Sequence, residues 1–299
     1  MSELNKKMEA PYRRSKVTVG SIMSYVIIAL LPTTAFGIYT HGISALLVIV
    51  LTVLSAVLTE YLYQILTKTR VTISDCNAAL TGLILALNLP ANTPWWICII
   101  GGCFSILIVK QVVCRFGKVN LNPSLTAKCF LLVLFFSKIT SMNTPLAIQK
   151  AGEPVDLLNV VLGNTNGTIG TTSVVAVLIG AIFLIVMGII DLSIPASYLI
   201  SFVIVMGILG GRGFELNYLT VQICGGGLMF AAWFMATDYM SSPITKWGRI
   251  IYGIFLGVLT ALLRLVGITE DASCFAIVCG NLLVPIFDRI HIPFYRKKK

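Results

Sequence analysis

Charge is scarce in this chain. Only 11% of its 299 residues are Asp, Glu, Lys or Arg, and 57% are apolar. A soluble globular domain carries about 25% charged residues. The shortage excludes a fold covered by water, so lipid must cover what the polar residues cannot. Histidine is scarcer still. The two present, His41 and His291, fall in a loop and a tail. No Ser-His-Asp order, HExxH or Walker loop appears. Cysteine occurs eight times, but no two form a CxxC pair, and Cys98/Cys103 and Cys274/Cys279 are five apart. That spacing suits neither iron–sulfur nor zinc ligation, so the cysteines read as small apolar core residues. No small-residue cleavage site follows the first apolar run, which is expected to stay as a helix. Chemistry is therefore expected from a bound cofactor.

What the chain does have is long apolar runs. A bilayer core about 30 Å thick needs roughly 20 helical residues. Ten segments approach this: 19–36, 43–66, 72–89, 95–114, 124–140, 172–190, 195–209, 219–236, 248–266 and 273–290. Cytoplasmic loops concentrate Lys and Arg. With the N-terminus inside, 17 of the 22 basic residues are cytoplasmic, including Lys6, Lys7, Lys68, Lys110, Lys246 and the closing Lys297 to Lys299. The outer side holds Glu153, Asp156, Glu215, Glu270 and Asp271. Ten spans then put both termini in the cytoplasm. The net charge of +10 is a topology signal, and no nucleic-acid partner is expected.

A weak repeat runs through the chain. Gly82-Leu83 matches Gly227-Leu228, and Cys129-Phe130 matches Cys274-Phe275 at the same separation of 145. Five helices per half is odd, so the second half must be inverted in the membrane. Inverted repeats place ligand sites at their interface, on interrupted helices.

Four segments are too polar or irregular for plain spans. Two face outward. One runs from Thr140 through Ser141, Thr144 and Pro145 to Ala147; its Thr-Pro step presents a hydroxyl in an extended turn, or is only a device for starting a helix. The other, Gly163 to Ser173, sets glycines and hydroxyls before a helix, which suits an anion such as phosphate or an ordinary flexible cap. Two face the cytoplasm: Lys110 to Pro123, with Asn120 and Asn122, and Met235 to Tyr239, where Asp238 ends a span. An acidic residue there binds a ligand, an ion or a subunit, or caps the next helix.

The stretch MATDYMSSPITKWGRIIYGIFLGVLTALLRLVGITEDASCFAIVCGNLLVPIFD at 235–288 is the most specific of the chain. With LNLPANTPWW at 87–96, Lys110-Gln111 and Asn-Leu-Asn-Pro at 120–123, it resembles the D subunits of the Rnf complex, relatives of the B subunit of sodium-pumping NADH:quinone reductase. The likeness covers essentially the whole chain. It implies an all-α polytopic membrane fold with about ten transmembrane helices in two inverted five-helix repeats, urea-transporter-like. The implied division is a cytoplasmic tail at 1–18, a first repeat at 19–150, an outward linker at 151–171, a second repeat at 172–290 and a basic tail at 291–299.

The resemblance also implies an FMN joined through its phosphate to a threonine on the outer side. The family motif is Ser/Thr-Gly-Ala-Thr-Pro-Leu, and this chain has Ser141-Met142-Asn143-Thr144-Pro145-Leu146, so Thr144 inherits the attachment and Ser141 the motif's first hydroxyl. Thr171 stands where relatives often place Glu. A second, non-covalent flavin, riboflavin, is implied near the cytoplasmic side, with Asn120, Asn122 and Asp238 as candidates and Lys110 behind them. The implied function is electron relay in an ion-translocating ferredoxin:NAD oxidoreductase of the bacterial inner membrane. The expected partners are the A, B, C, E and G subunits of the Rnf complex, lipid, and, indirectly, ferredoxin and NAD. Na⁺ or H⁺ is the coupled ion, and the chain is not expected to turn over alone. The alternatives are a solute channel or transporter of the urea-transporter type and a cofactor-free scaffold subunit.

Overall fold

A computed structural model describes residues 19–69, 73–114, 121–140, 144–152, 155–163, 165–268 and 271–289. Among them every regular element is helical. In chain order they are α1 (Val19–His41), α2 (Ile43–Leu66), a 3₁₀ turn at Ile73–Asp75, α3 (Asn77–Leu87), and α4 (Trp95–Phe104), which runs on as a π-helix over Ser105–Val113. Then come α5 (Pro123–Ile139), two short helices α6 (Pro145–Lys150) and α7 (Leu157–Leu162), and a 3₁₀ turn at Ile169–Thr171. The remainder is α8 (Val174–Val186), α9 (Ser193–Leu209), α10 (Leu216–Cys224), α11 (Leu228–Phe230) with its π-helical continuation Ala231–Met235, α12 (Lys246–Val266) and α13 (Ala272–Phe287).

Each of the ten apolar segments is helical over most of its described length, but the lengths differ from a row of equal spans. Four helices among the described residues are long and apolar enough to cross a bilayer: α1, α2, α4 with its π-helical extension, and α12. The α10–α11 pair makes a fifth if its 60° bend is one broken span. Helices α3, α8, α9 and α13 are apolar but shorter. At 1.5 Å per residue, the 11 residues of α3 reach about 16 Å, roughly half the hydrocarbon thickness. Its ends explain why. Cys76 sits in the left-handed region at φ 54°, and Pro90 stops the chain from continuing helically.

Helix α2 is apolar on all sides. Leu47, Leu54, Leu58 and Leu62 of α2 are exposed, whereas Ala45, Val48, Thr52 and Ala56 are buried. Lipid suits the first set, and packing the second. The buried hydroxyls of α2 are satisfied within the helix: Thr52 Oγ1 donates to the Val48 carbonyl at 2.7 Å and Thr59 Oγ1 to that of Ser55 at 2.6 Å.

The two halves use the same packing device. In the first, α2 lies along α4; in the second, α9 lies along α12. Gly102 of α4 faces Ser55 of α2, while Gly253 and Gly257 of α12 face Ser197 and Ser201 of α9. A Cβ at any of these glycines would come within 1.9 Å of the serine oxygen. Small residues thus let each helix pair approach closely. Around the second pair, Tyr198, Phe202 and Tyr252 are fully buried, and Tyr198 Oη and Thr260 Oγ1 hydrogen-bond at 2.7 Å.

Candidate functional site

Two clefts gather most of the described polar residues that the sequence singled out. The first is built around Thr144. Proline at the next position sets the entrance of α6, and Thr144 takes the extended backbone expected before proline, φ −79° and ψ 159°. Its Oγ1 caps the helix, accepting from the Ala147 N–H at 3.4 Å, and the residue is 2% exposed. A cleft opens beside it, with Pro145 and Val160 in its wall.

The Gly- and Thr-rich loop forms a second wall. It is pinned to the end of α3, where the Ile169 N–H donates to the Leu89 carbonyl at 3.1 Å. Gly170 lies so close to Leu87 that a Cβ would meet the Leu87 Cβ at 2.7 Å. Thr165, Asn166, Thr168 and Thr171 consequently face the same space as Thr144. Loop and threonine are separate in sequence and joined in the fold.

A third wall is the break between α10 and α11. Gly226 and Gly227 hold φ 61° and 68°, the left-handed region that glycine enters without penalty. Arg264 of α12 holds this break. Its guanidinium donates to the carbonyls of Gln222, Gly225 and Gly226, the last two at 3.2 and 3.4 Å, and stacks 5.0 Å from the Phe202 ring centroid. A cation there meets the negative end of α10. Arg264→Met should therefore destabilise the chain by about 2 kcal/mol, from several lost charge-assisted hydrogen bonds. Thermal unfolding of the purified chain checks this, and Arg264→Met melting with the wild type would remove the bracing role.

The second cleft lies at the other end of α3, where Asn77, Leu80 and Thr81 line it. Asn122 Oδ1 caps α5, accepting from the N–H groups of Ser124 and Leu125 at 3.1 and 3.4 Å. Its Nδ2 points to Asp238 Oδ2 at 3.4 Å, across 116 residues of sequence. Asp238 also accepts from Ser241 Oγ at 2.9 Å. Burial pushes its carboxyl above the usual range, partly offset by that hydrogen bond. With the Asn281 amide oriented to satisfy both neighbours, its oxygen accepts from the Asn122 N–H at 3.2 Å and its nitrogen meets Tyr252 Oη at 2.8 Å. Lys110 lines the same cleft and pairs with buried Glu60 at 2.9 Å.

Thr144 therefore stands in one cleft, and Asn122, Asp238 and Lys110 in the other. Asn120 and Ser141 lie outside the described residues. The clefts are joined by α3: Thr81 and Ile84 line the second and Asn88 the first, a step of about 6 Å from Ile84 to Asn88 along the axis. All eight cysteines are free thiols. No group of His, Cys, Asp or Glu among the described residues has the arrangement of a metal site.

Sequence reasoning missed an ion pair in the first cleft. Lys128 Nζ lies 2.7 Å from Asp271 Oδ1, with Lys128 only 3% exposed. The signal was present as a lysine within the apolar run 124–140, since ionisable groups at membrane depth are rare and mark sites. It also passed over the Gly225–Gly227 break, because three glycines in an apolar run do not reveal where the helix bends.

A model of the family described as NQR2, RnfD, RnfE matches residues 6–296. Among curated relatives, the D subunit of the Na(+)-translocating ferredoxin:NAD(+) oxidoreductase complex of Acetobacterium woodii is 39% identical, over 97% of this chain and 94% of the relative. The D subunit of the proton-translocating ferredoxin:NAD(+) oxidoreductase complex of Clostridium ljungdahlii is 32% identical over 95% and 93%. The D subunit of the ion-translocating oxidoreductase complex of Methanosarcina acetivorans is 30% identical over 95% and 94%.

Proposed function

The chain belongs to the NQR2, RnfD, RnfE family, and on that premise we propose that it is the flavin-carrying membrane subunit of an ion-translocating ferredoxin:NAD oxidoreductase. The observation that carries the reading is the first cleft. A threonine in the position the family motif gives for flavin attachment lines one cavity with a loop of hydroxyls and glycines. Its polar wall of hydroxyls and glycines suits a ribityl phosphate. Thr144 Oγ1 is the atom that would carry the phosphate of FMN. The second cleft is more apolar, with Asn122 and Asp238 placed to meet the polar edge of a flat ring. It suits a flavin held without a covalent bond, and riboflavin is our assignment.

Bound flavins supply the redox chemistry. The chain's own part is to hold them: Thr144 by ester linkage, Asn122 and Asp238 by hydrogen bonds, with α3 as the short spacer between clefts. Electrons from reduced ferredoxin pass through partner subunits and this chain toward NAD⁺, coupled to export of Na⁺ or H⁺. The shared α2–α4 and α9–α12 packing supports two inverted five-helix repeats with ten membrane crossings, the shorter helices included.

Reduced ferredoxin should drive NAD⁺ reduction and ion uptake in inverted vesicles containing the complete complex, and both activities should vanish when this chain is deleted. Vesicles that keep both without it would refute the assignment. The topology has its own test. Tags at both termini should resist an impermeant reagent in intact cells, and a labelled C-terminal tag would mean an odd number of crossings.

A further inference from the structure

We propose that Lys128 sets the reduction potential of the flavin in the first cleft, with Asp271 as its counterweight. This inference rests on the FMN reading of that cleft. Lys128 and Asp271 are the only charged side chains among the described residues lining it; the rest of its wall is neutral hydroxyls, amides, glycines and apolar groups. Lys128 is buried on the flank of α5, while Asp271 stands at the start of α13. Each half of the chain therefore contributes one charge to the cavity.

Burying an ammonium at membrane depth is costly, and a methionine or leucine would pack there at no electrostatic cost. The pair as it stands is neutral. An electron added to an isoalloxazine ring from a reductant places negative charge on the ring before any proton follows. No bond to the chain forms or breaks. A nearby ammonium favours that added charge and a nearby carboxylate opposes it, and both side chains are largely shielded from water. Removing either partner should thus move the potential in opposite directions. A purely structural ion pair predicts no such sign reversal.

The test uses the full-length chain, expressed with a flavin transferase and purified in detergent. In-gel fluorescence of the denatured chain reports attachment, and dye-coupled reductive titration with dithionite reports potential. Lys128→Met should lower the flavin potential and Asp271→Asn should raise it, each by at least tenfold in the one-electron equilibrium constant, or about 59 mV. Lys128→Arg should stay near the wild type, and the double variant should fall between the single ones. Equal potentials in fluorescent wild-type and variant chains would overturn the proposal while leaving FMN attachment intact. A folded Lys128→Met chain without fluorescence would assign the ammonium to the phosphate instead, and would also overturn it. A wild-type chain without fluorescence overturns the attachment, and this inference with it.

Discussion

Thr144→Ala should abolish in-gel flavin fluorescence while the chain still inserts and folds. The hydroxyl is the one atom at this position that can carry a phosphoester, so the effect is all or none. The accompanying structural loss is small. Thr144 caps a six-residue helix through one long hydrogen bond of 3.4 Å, and losing an N-cap costs about 1 kcal/mol. Thr144→Ser keeps an oxygen in place and should keep some fluorescence. The cleft offers other hydroxyls, so the substitution also discriminates among them. Thr165 and Thr172 line the same cavity. Fluorescence that survives Thr144→Ala and is lost in Thr165→Ala or Thr172→Ala would move the attachment to the neighbouring loop.

Asn122→Leu or Asp238→Leu should strip riboflavin from the purified chain and leave the covalent flavin untouched. The two side chains are 3.4 Å apart and line the second cleft, whereas Thr144 belongs to the first. Each offers a placed polar atom in an otherwise largely apolar space, and an unpaired buried polar edge on the ligand costs about 1–3 kcal/mol, a loss of roughly ten- to a hundredfold in affinity. Asn122 also caps α5. Asn122→Asp, which retains the capping oxygen, therefore separates the cap from the amide: α5 should stay folded while riboflavin declines. Cofactor extraction and chromatography measure it. Equal riboflavin in wild type and variants would remove this site, and a wild type without riboflavin would remove the cofactor.

Much of the fold is legible in the sequence, for physical reasons. Apolar runs place the helices, since nothing else satisfies backbone groups in lipid. The Thr-Pro step places Thr144 at a helix start, because proline dictates its neighbour's backbone. The Asn-Pro pair likewise marks Asn122 as a cap. Asn122 and Asp238, two of the candidates for one ligand, have side chains that meet. What escapes is three-dimensional. Short helices such as α3 read as spans because hydropathy counts residues, not where a helix begins and ends. The union of Thr144 with the 165–172 loop depends on the backbone contact between Ile169 and Leu89, which leaves no mark in composition. Arg264 stands inside the most specific stretch without a visible role, because its acceptors are carbonyls of Gln222, Gly225 and Gly226 and no carbonyl shows in a side-chain pattern. Lys128 is visible as an anomaly, but its partner Asp271 lies far along the chain, in the other half.

The most direct test of a flavin carried on this chain is peptide mass analysis of the protein from its native membranes. Digestion should yield the peptide spanning Thr144 with the mass of FMN less one water, and fragmentation should place the adduct on that residue. The same peptide found only unmodified, in a preparation whose complex reduces NAD⁺ with ferredoxin, would contradict the account.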